Sequence, residues 1–399
     1  MTVRYPLRWA LCLALAGPSG AQALTDEGFA SCLADLRERA TDHGVSADAL
    51  AAVEPIEQVL ELDRDQPEFT TTLADYLGRR VTDARVEQGR ALIEEHKTLL
   101  DALYREYGVP PRYLVAFWGL ETDFGSYTGR TPILDAVATL ACDQRRSDYY
   151  AEQVLAALRI LDEGPLEPDD LKGSWAGAMG HVQFMPEVFV RYAVDHDGDG
   201  QRDLWGSVPD SLASAANFLR AVGWESGWRW GREVLLPPDF PYELAGYEPR
   251  PLTEWKRHGV RTAYGHELSD ADVDTSLLVL AGHEGPAFLV YDNFHTILRW
   301  NRSEFYAVAV GHLADRLAGR AGLANPPPED APPLRRDQVM ALQERLAERG
   351  FEPGPADGVS GPQTRQAIRR FQKSQDMIAD GFASREVLSR LSLQVAEPE

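Results

Sequence analysis

One segment of the chain combines a helix start with an almost wholly apolar helix that carries one carboxylate, Glu121, near its end: residues 110–125 are PPRYLVAFWGLETDFG. Gly108 closes the preceding helical pattern, and two prolines suit the first turn of a new helix, where the missing N–H of proline costs nothing. Counting back from Glu121 by three and four positions reaches Trp118 and Phe117, so the carboxylate shares a helix face with large apolar side chains. The segment therefore predicts a core helix that carries one acidic group at its end.

The position of Glu121 predicts a carboxyl group that keeps its proton near neutral pH. Burial among apolar side chains penalises the charged form, and the partial negative charge at a helix C-terminus adds to that penalty, so both effects raise the pKa. A raised pKa is what a general acid needs in order to protonate a glycosidic oxygen. From this segment alone, an ordinary glutamate that reaches solvent from a helix end is the alternative.

Helical spacing of apolar residues extends over much of the first 320 residues. Two apolar runs between Leu277 and Tyr291 flank a Gly-Pro turn and predict a short β-hairpin, whereas the Trp-, Gly- and Pro-rich stretch 223–251 predicts irregular structure with small strands. The fold class is therefore mainly α, an α+β architecture with few strands. The predicted helices are Asp26–His43, Val81–Tyr107, Arg112–Thr122, Ile133–Ala141, Ser147–Leu161, Asp210–Val222 and Ser303–Arg320.

Five prolines between Pro326 and Pro333 interrupt these patterns. We expect residues 323–333 to link a large domain (24–322) to a small C-terminal domain (334–393). The small domain restarts helical spacing and contains two Asp-Gly turns, which predicts three short helices. Few contacts should cross a proline-rich spacer, so the sequence predicts separable domains.

Residues 1–23 have the composition of a cleaved secretory signal peptide. Arg4 and Arg8 precede an apolar stretch from Trp9 to Ala16, and residues 21–23 form a small-x-small cleavage site. An N-terminal membrane anchor is the weaker alternative, because a bilayer needs about 20 apolar residues. We therefore expect an exported protein with no membrane insertion.

The charge and the cysteines fit an exported chain. The 62 acidic residues outnumber the 40 basic ones, giving a formal charge of −22, which argues against nucleic acid or an anionic membrane as partner. Cys32 and Cys142 lie beyond the predicted signal. In an oxidising compartment they can form a disulfide, or they can remain two separate buried thiols.

A second acidic motif spans residues 195–203. Four carboxylates occupy positions 1, 3, 5 and 9 of an EF-hand-like loop, and position 7 supplies a backbone carbonyl. Carboxylates held this close repel one another unless a cation neutralises them, so the motif predicts a structural calcium site. Position 12 is Gly206 rather than glutamate, which leaves Asp210 to close the site, although Asp210 also fits a capping box that begins at Ser207. The predicted ligands are Asp195, Asp197, Asp199, Gln201, Asp203 and Asp210.

Two segments resemble the membrane-bound lytic murein transglycosylase B family. Residues 119–125, GLETDFG, are similar to the segment of its catalytic glutamate, and residues 174–186, SWAGAMGHVQFMP, to its small-residue loop. The family usually has an aromatic residue and a glycine where this chain has His181 and Val182. The resemblance implies that Glu121 is the single catalytic acid and base. It also implies a substrate groove lined by Gln183, Met179 and Gly180, although Met179 can equally fill the core.

Residues 291–306, YDNFHTILRWNRSEFY, are similar to a third segment of that family. The resemblance implies that Trp300, Asn301 and Tyr306 also line the groove. Trp300 stands where tyrosine is usual, so a ring that can stack on a sugar remains but the phenolic hydroxyl is lost. Without the resemblance, Tyr306 reads as a core aromatic.

Residues 343–381 resemble the peptidoglycan-binding type 1 domain. Together the resemblances imply a lysozyme-like catalytic domain in the periplasm, acting on peptidoglycan strands without a catalytic cofactor. The implied reaction cleaves the β-1,4 bond between N-acetylmuramic acid (MurNAc) and N-acetylglucosamine (GlcNAc) without water and leaves a 1,6-anhydroMurNAc end. The alternatives are a hydrolytic muramidase, which needs a second carboxylate, and a non-catalytic calcium-braced wall-binding protein.

Overall fold

The computed structural model describes residues 25–65, 71–143 and 147–393. The predicted signal peptide, 1–23, lies outside these residues. Within them the chain is mostly helical with two small antiparallel sheets, which confirms the predicted fold class. None of the described helices is both long enough and apolar enough to cross a membrane.

The helices of the large domain largely follow the predicted spacing. The predicted helix 81–107 is divided, because His96 leaves helical geometry (φ −95°, ψ 20°) and separates two helices. In the described part of this domain the helices are α1 (Asp26–Asp42), α2 (Glu57–Asp65), α3 (Leu73–Arg80), α4 (Asp83–Glu95), α5 (Lys97–Tyr107), α6 (Pro111–Thr122), α7 (Ile133–Ala141), α8 (Ser147–Glu163), α9 (Pro186–Tyr192), α10 (Val208–Ala221), α11 (Leu252–Arg257), α12 (Asp292–Trp300) and α13 (Glu304–Leu317).

Helix α6 lies at the centre of the large domain. Every residue from Tyr113 to Leu120 is buried, and α4, α5, α10 and α13 pack around the helix. Gly119 lets the Phe124 ring fold back onto the helix, since a Cβ there would lie 2.7 Å from that ring. Asp123 and Phe124 have positive φ (50° and 59°) and turn the chain away at the helix end. The surrounding helices and this turn therefore hold the last turn of α6, which contains Glu121, in place.

Two antiparallel sheets accompany the helices. The first pairs β1 (Thr131–Pro132) with β2 (Lys172–Gly173). The second has the order β4-β6-β7-β3-β5, and its β6–β7 pair is the predicted hairpin. Its strands are β3 (Gly231–Leu235), β4 (Gly246–Pro251), β5 (Arg261–Thr262), β6 (Asp274–Val279) and β7 (Ala287–Val290). One side of this sheet has its own apolar core, which includes Trp255, Leu277 and Leu289.

A disulfide joins Cys32 of α1 to Cys142 at the end of α7, with 5.8 Å between the Cα atoms. The two cysteines are 110 residues apart in sequence. In the chain-entropy view, a loop of this size limits the unfolded ensemble enough to contribute roughly 4–5 kcal/mol. The bond ties the N-terminal helix to the α7–α8 pair.

The C-terminal module, residues 334–393, packs against the large domain. It contains α14 (Arg336–Glu348), α15 (Pro362–Ser374) and α16 (Arg385–Arg390) around a small core of its own. Specific polar contacts nevertheless join the two domains. Arg365 makes two bonds of 2.8 Å to the Glu304 carboxylate, and Asp380 accepts bonds from the backbone N–H (2.9 Å) and the ring Nδ1 (2.8 Å) of His283. Proline content indicates a stiff connection, but it carries no information about the paired charges on either side of it.

Candidate active site

The Glu121 carboxylate lies in the last turn of α6 and receives two hydrogen bonds on one oxygen. Trp300, at the end of α12, donates its indole N–H to Oε1 at 2.8 Å, and Tyr306 of α13 donates its hydroxyl to the same atom. Within the described residues, no hydrogen bond reaches Oε2. Oε2 is therefore the oxygen that is left to carry and deliver a proton.

Burial raises the pKa of Glu121 above its usual range. The hydrogen bonds from Tyr306 and Trp300 and the positive charge of Arg80 oppose this by stabilising the carboxylate, but burial is the largest effect. Burial and the Glu121 carboxylate also raise the pKa of Tyr306 well above its usual value, so its hydroxyl stays a neutral donor. The environment favours a protonated Glu121.

Glu121 opens into a cavity of about 870 Å³. One wall comes from α3 and from residues 298–306, and another comes from Val359, Ser360, Gly361 and Pro362 of the C-terminal module. The module thus forms part of the cavity that contains the acidic group. Local sequence patterns cannot predict this contact, because Glu121 and residues 359–362 are more than 200 positions apart in the chain.

Glu304 is the other carboxylate among the described residues that line this cavity. Both of its oxygens accept bonds from Arg365, and the Tyr247 hydroxyl also donates to Oε1. Asp123 and Glu187, which stand near Glu121 or the small-residue loop in sequence, do not line it and pair with Arg85 and Arg191. A second carboxylate free to act as nucleophile or base is therefore missing from the described lining of the cavity.

The small-residue loop packs closely against its neighbours. Met179 is fully buried in the main core, which is the core-filling alternative for this residue. Gly180 has φ 66°, and a Cβ there would lie 2.3 Å from the Leu204 carbonyl oxygen, so the close approach of that backbone requires glycine. Gln183 is half-buried and donates its amide to the carbonyl oxygens of Thr128 (3.1 Å) and Gly180 (2.9 Å).

Of the three predicted groove residues in the third segment, Trp300 and Tyr306 donate hydrogen bonds to Glu121, and Asn301 is exposed. The half-buried Trp300 ring packs against Phe117, Phe184 and Phe218, with centroids 4.4, 5.4 and 5.3 Å away, and these contacts fix the direction of its indole N–H. The Tyr306 side chain is buried, and its hydroxyl contacts Glu121. Asn301 is exposed on the cavity wall, and its side-chain oxygen accepts the Ser303 N–H at 3.0 Å.

His181 connects the catalytic helix to the acidic loop. Its Nδ1 lies 2.9 Å from the indole nitrogen of Trp118, which can only donate, so Nδ1 accepts and Nε2 carries the proton toward the Trp205 carbonyl oxygen, 3.0 Å away. Thr122 also donates to the His181 carbonyl oxygen at 2.8 Å. Burial lowers the pKa of His181, which favours the neutral ring. In the sequence, His181 was notable only because it departs from the family pattern at this position.

The acidic loop brings together three of the six predicted calcium ligands. Carboxylate oxygens of Asp195, Asp197 and Asp210 lie within 4.8 Å of one another. Asp210 is fully buried and accepts the N–H groups of His196 (2.8 Å) and Asp203 (3.0 Å), besides starting α10 behind the Ser207 cap. The later acidic residue thus closes the loop despite its unusual register.

The other two predicted carboxylate ligands, Asp199 and Asp203, lie outside this group. Asp203 is turned toward the following backbone, where its Oδ1 accepts the N–H groups of Trp205 and Gly206, both at 2.8 Å. Asp199 is exposed and accepts the Gln201 N–H at 2.8 Å. These short turns hold the loop in shape, and spacing alone cannot distinguish them from metal ligation.

Comparison with known proteins gives matches over both parts of the chain. The family described as "Transglycosylase SLT domain" matches residues 28–315, and "Putative peptidoglycan binding domain" matches residues 335–391. Membrane-bound lytic murein transglycosylase B of Escherichia coli K12 is 33% identical over 256 residues, which are 61% of this chain. The match spans 66% of the length of that relative.

Solved structures are similar to this chain as well. SltB3 from Pseudomonas aeruginosa, in complex with NAG-anhNAM-pentapeptide, superposes with a TM-score of 0.87 at 42% identity, covering 91% of this chain and 99% of that one. The Escherichia coli lytic transglycosylase SLT35 in complex with calcium has a TM-score of 0.62 at 30% identity, covering 73% and 92%. The similarity to SltB3 thus extends over nearly all of the chain.

Proposed function

Because the chain belongs to the transglycosylase SLT domain family, we propose that it is a lytic transglycosylase that cleaves peptidoglycan between MurNAc and GlcNAc and leaves a 1,6-anhydroMurNAc end. The observation that carries this proposal is the single available carboxylic acid in the cavity. Burial raises the pKa of Glu121 and so favours its protonated form, whereas both oxygens of Glu304 accept bonds from Arg365. A muramidase would need a second carboxylate at the scissile bond.

The chemistry follows from the two oxygens of Glu121. The protonated carboxyl group donates its proton to the glycosidic oxygen as the bond to the muramyl C1 breaks, and the GlcNAc leaves as an alcohol. The Glu121 carboxylate, stabilised at Oε1 by Trp300 and Tyr306, then accepts the proton of the muramyl C6 hydroxyl while that oxygen bonds to C1. The proton returns to Glu121, and no water enters the product.

Calcium belongs to the proposal as a structural ion. The clustered carboxylates of Asp195, Asp197 and Asp210 are hard oxygen donors, which suits Ca²⁺. A bound cation would neutralise their repulsion, and the loop that they hold contacts Trp118 of α6 through His181. The metal would therefore brace the end of the catalytic helix and would take no part in proton transfer.

The location and the partner follow from the same family membership. We place the mature enzyme in the periplasm, where its substrate lies and where the Cys32–Cys142 disulfide is stable. Residues 1–23 would be removed on export. Peptidoglycan strands are the partner that the C-terminal module would hold.

The products of digestion test this function. Wild-type enzyme incubated with purified sacculi should release muropeptides that are one water lighter than hydrolysed ones and that resist borohydride reduction at the muramyl end. Glu121→Gln should lower the rate by about 10²- to 10⁴-fold, the usual contribution of a general acid. Asp123→Asn is the matched control, because Asp123 is 54% exposed, pairs only with Arg85 at this end of α6, and occupies a left-handed conformation that Asn tolerates. Reducible, fully hydrated ends would indicate a muramidase, and no release at all would indicate a pure binding protein.

A further inference from the structure

A second cavity, of about 440 Å³, lies between the large domain and the C-terminal module. Its walls are residues 243–248, which lead into β4, and one face of α15. Tyr247 and Pro362 line both this cavity and the one that contains Glu121. The two cavities are therefore adjacent, and a ligand in one can extend toward the other.

Four basic side chains of α15 line this cavity: Arg365, Arg369, Arg370 and Lys373. No acidic residue interrupts them on that helix, although the whole chain has a net charge of −22. The acidic residues in the opposite wall are Glu243 and Glu248. This concentration of positive charge is therefore local to the cavity, because the chain as a whole is acidic.

Several of these charges are already paired. Arg365 binds Glu304, Arg370 lies 3.3 Å from Glu352, and Glu248 lies 3.3 Å from Arg250. Among the described residues, Arg369 and Lys373 form no such ion pair, and Glu243 is the remaining acid of the lining. The cavity thus keeps an excess of positive charge after the internal pairs are counted.

Arg369 is the most unusual of these groups. Its Nε is buried and, within the described part of the chain, has no hydrogen-bond partner. Burial first, and Arg365 second, lower the pKa of Arg369 to about 10, although Asp380 and Glu243 act in the opposite direction. Asp380 already accepts bonds from Gln372, His283 and the Phe382 N–H. A buried N–H group without a hydrogen-bond partner is costly, and an anionic ligand that accepts a bond from the Arg369 Nε would offset that cost.

We propose that this cavity binds a carboxylate of a peptide stem carried by the glycan strand whose scissile bond lies at Glu121. The inference rests on the proposed function, which supplies peptidoglycan as the substrate. The amide side chains of Gln363 and Gln366 can bond peptide groups, while Leu244, Ala245 and Leu278 offer apolar contact for small side chains such as alanine methyls. The site therefore fits a peptide that ends in a carboxylate better than it fits a bare sugar.

Three soluble substrates test the proposal with the full-length mature chain. They are a GlcNAc–MurNAc tetrasaccharide with peptide stems, the same compound with its stem carboxylates amidated, and the tetrasaccharide without stems. Charge-assisted hydrogen bonds should make kcat/KM about tenfold higher for the free carboxylate than for the amidated stem. Arg369→Gln should reduce that ratio to near one, and Arg369→Lys should retain part of it.

Two further variants keep the result interpretable. Lys373→Gln, at an exposed position of the same wall, should also lower the ratio of kcat/KM between the free-carboxylate and the amidated stem. If Arg369→Gln does not fold, Lys373→Gln tests the stem site in its place. Arg390→Gln removes the same charge from an exposed position outside the cavity and should leave the ratio as in wild type. A ratio that is near one in wild type, or that survives Arg369→Gln and Lys373→Gln, would overturn the stem site. Failure of the proposed function would look different, since wild type would then release no anhydro product from any of the three substrates.

Discussion

At the residue scale, Trp300 and Tyr306 both act on the protonation of Glu121. Trp300 replaces a tyrosine of the family pattern, yet its indole N–H still reaches Oε1 at 2.8 Å. The hydroxyl lost at this position is therefore replaced by another donor. Because both groups bond the charged form, they limit how far burial can raise the Glu121 pKa.

Removing one donor should move the pH profile in a defined direction. Tyr306→Phe deletes a bond that stabilises the Glu121 carboxylate, so the Glu121 pKa should rise further. General acid catalysis requires the protonated form and fails as pH rises through this pKa. The alkaline limb of kcat/KM should therefore shift to higher pH, while the maximal value falls roughly tenfold with the lost bond to a charged group.

The matched control is Tyr242→Phe, which deletes another buried hydroxyl, in the core beside the five-stranded sheet. Its alkaline limb should coincide with that of wild type. An alkaline limb that stays in place in Tyr306→Phe, or that moves to lower pH, would mean that Tyr306 does not set the protonation of Glu121.

At the element scale, the acidic loop and α6 form one unit. His181 accepts a bond from Trp118 and donates to Trp205, so movement of the loop reaches the helix that holds Glu121. Asp210 strengthens this link, because it lies in the first turn of α10 and also accepts bonds from the backbone of the loop. The order of the loop should therefore affect the whole large domain.

Calcium should raise the thermal stability of the protein through this loop. A ligand at 100 times its Kd that binds only the folded state contributes about 2.7 kcal/mol, and in a domain of this size that corresponds to a rise in Tm of roughly 5 °C. Asp197→Asn should abolish the rise, since Asp197 is one of the three clustered carboxylates. Asp203→Asn should retain it, because the amide oxygen can still accept the Trp205 and Gly206 N–H groups. A wild-type melting curve that does not respond to calcium or chelator would rule out the site.

Elements with strong local signals were predictable from the sequence, and contacts between distant segments were not. Helix α7 has the predicted bounds Ile133–Ala141, and α6 begins at the predicted proline pair. The strand order β4-β6-β7-β3-β5 depends on pairings between short, separated segments that leave little periodicity to detect. Gly180 and Met179 belong to a small-residue loop, and its sequence does not reveal the close approach of the Leu204 backbone to Gly180 or the full burial of Met179.

At the scale of the whole molecule, the C-terminal module forms part of the wall of the cavity that contains Glu121. The Arg365–Glu304 pair is about 15% exposed on each side, and Glu304 is the first residue of α13, the helix that also carries Tyr306. Asn325 in the linker adds bonds to Glu233 (2.7 Å) and to the Gly285 carbonyl oxygen (2.8 Å). The position of the module and the position of Tyr306 are therefore coupled, because the Arg365–Glu304 pair joins the module to the first turn of α13.

A chain truncated after Asn325 should fold, because the main core and the core of the five-stranded sheet lie within the large domain. It should nevertheless lose more than affinity for sacculi. Residues 359–362 would be absent from the Glu121 cavity, and Glu304 would lose its guanidinium partner, so kcat/KM should fall several-fold even on soluble glycan that needs no anchoring.

Full-length Arg365→Gln separates these two effects, since it breaks the charge pair and keeps the module. It should reproduce part of the loss on soluble glycan while binding sacculi more strongly than the truncated chain. The measurements are initial rates on a soluble tetrasaccharide, cosedimentation with sacculi, and Tm for both proteins. Equal kcat/KM on soluble glycan for the truncated and full-length chains would mean that the module serves only as an anchor, because the cavity wall that it contributes would then be irrelevant to turnover.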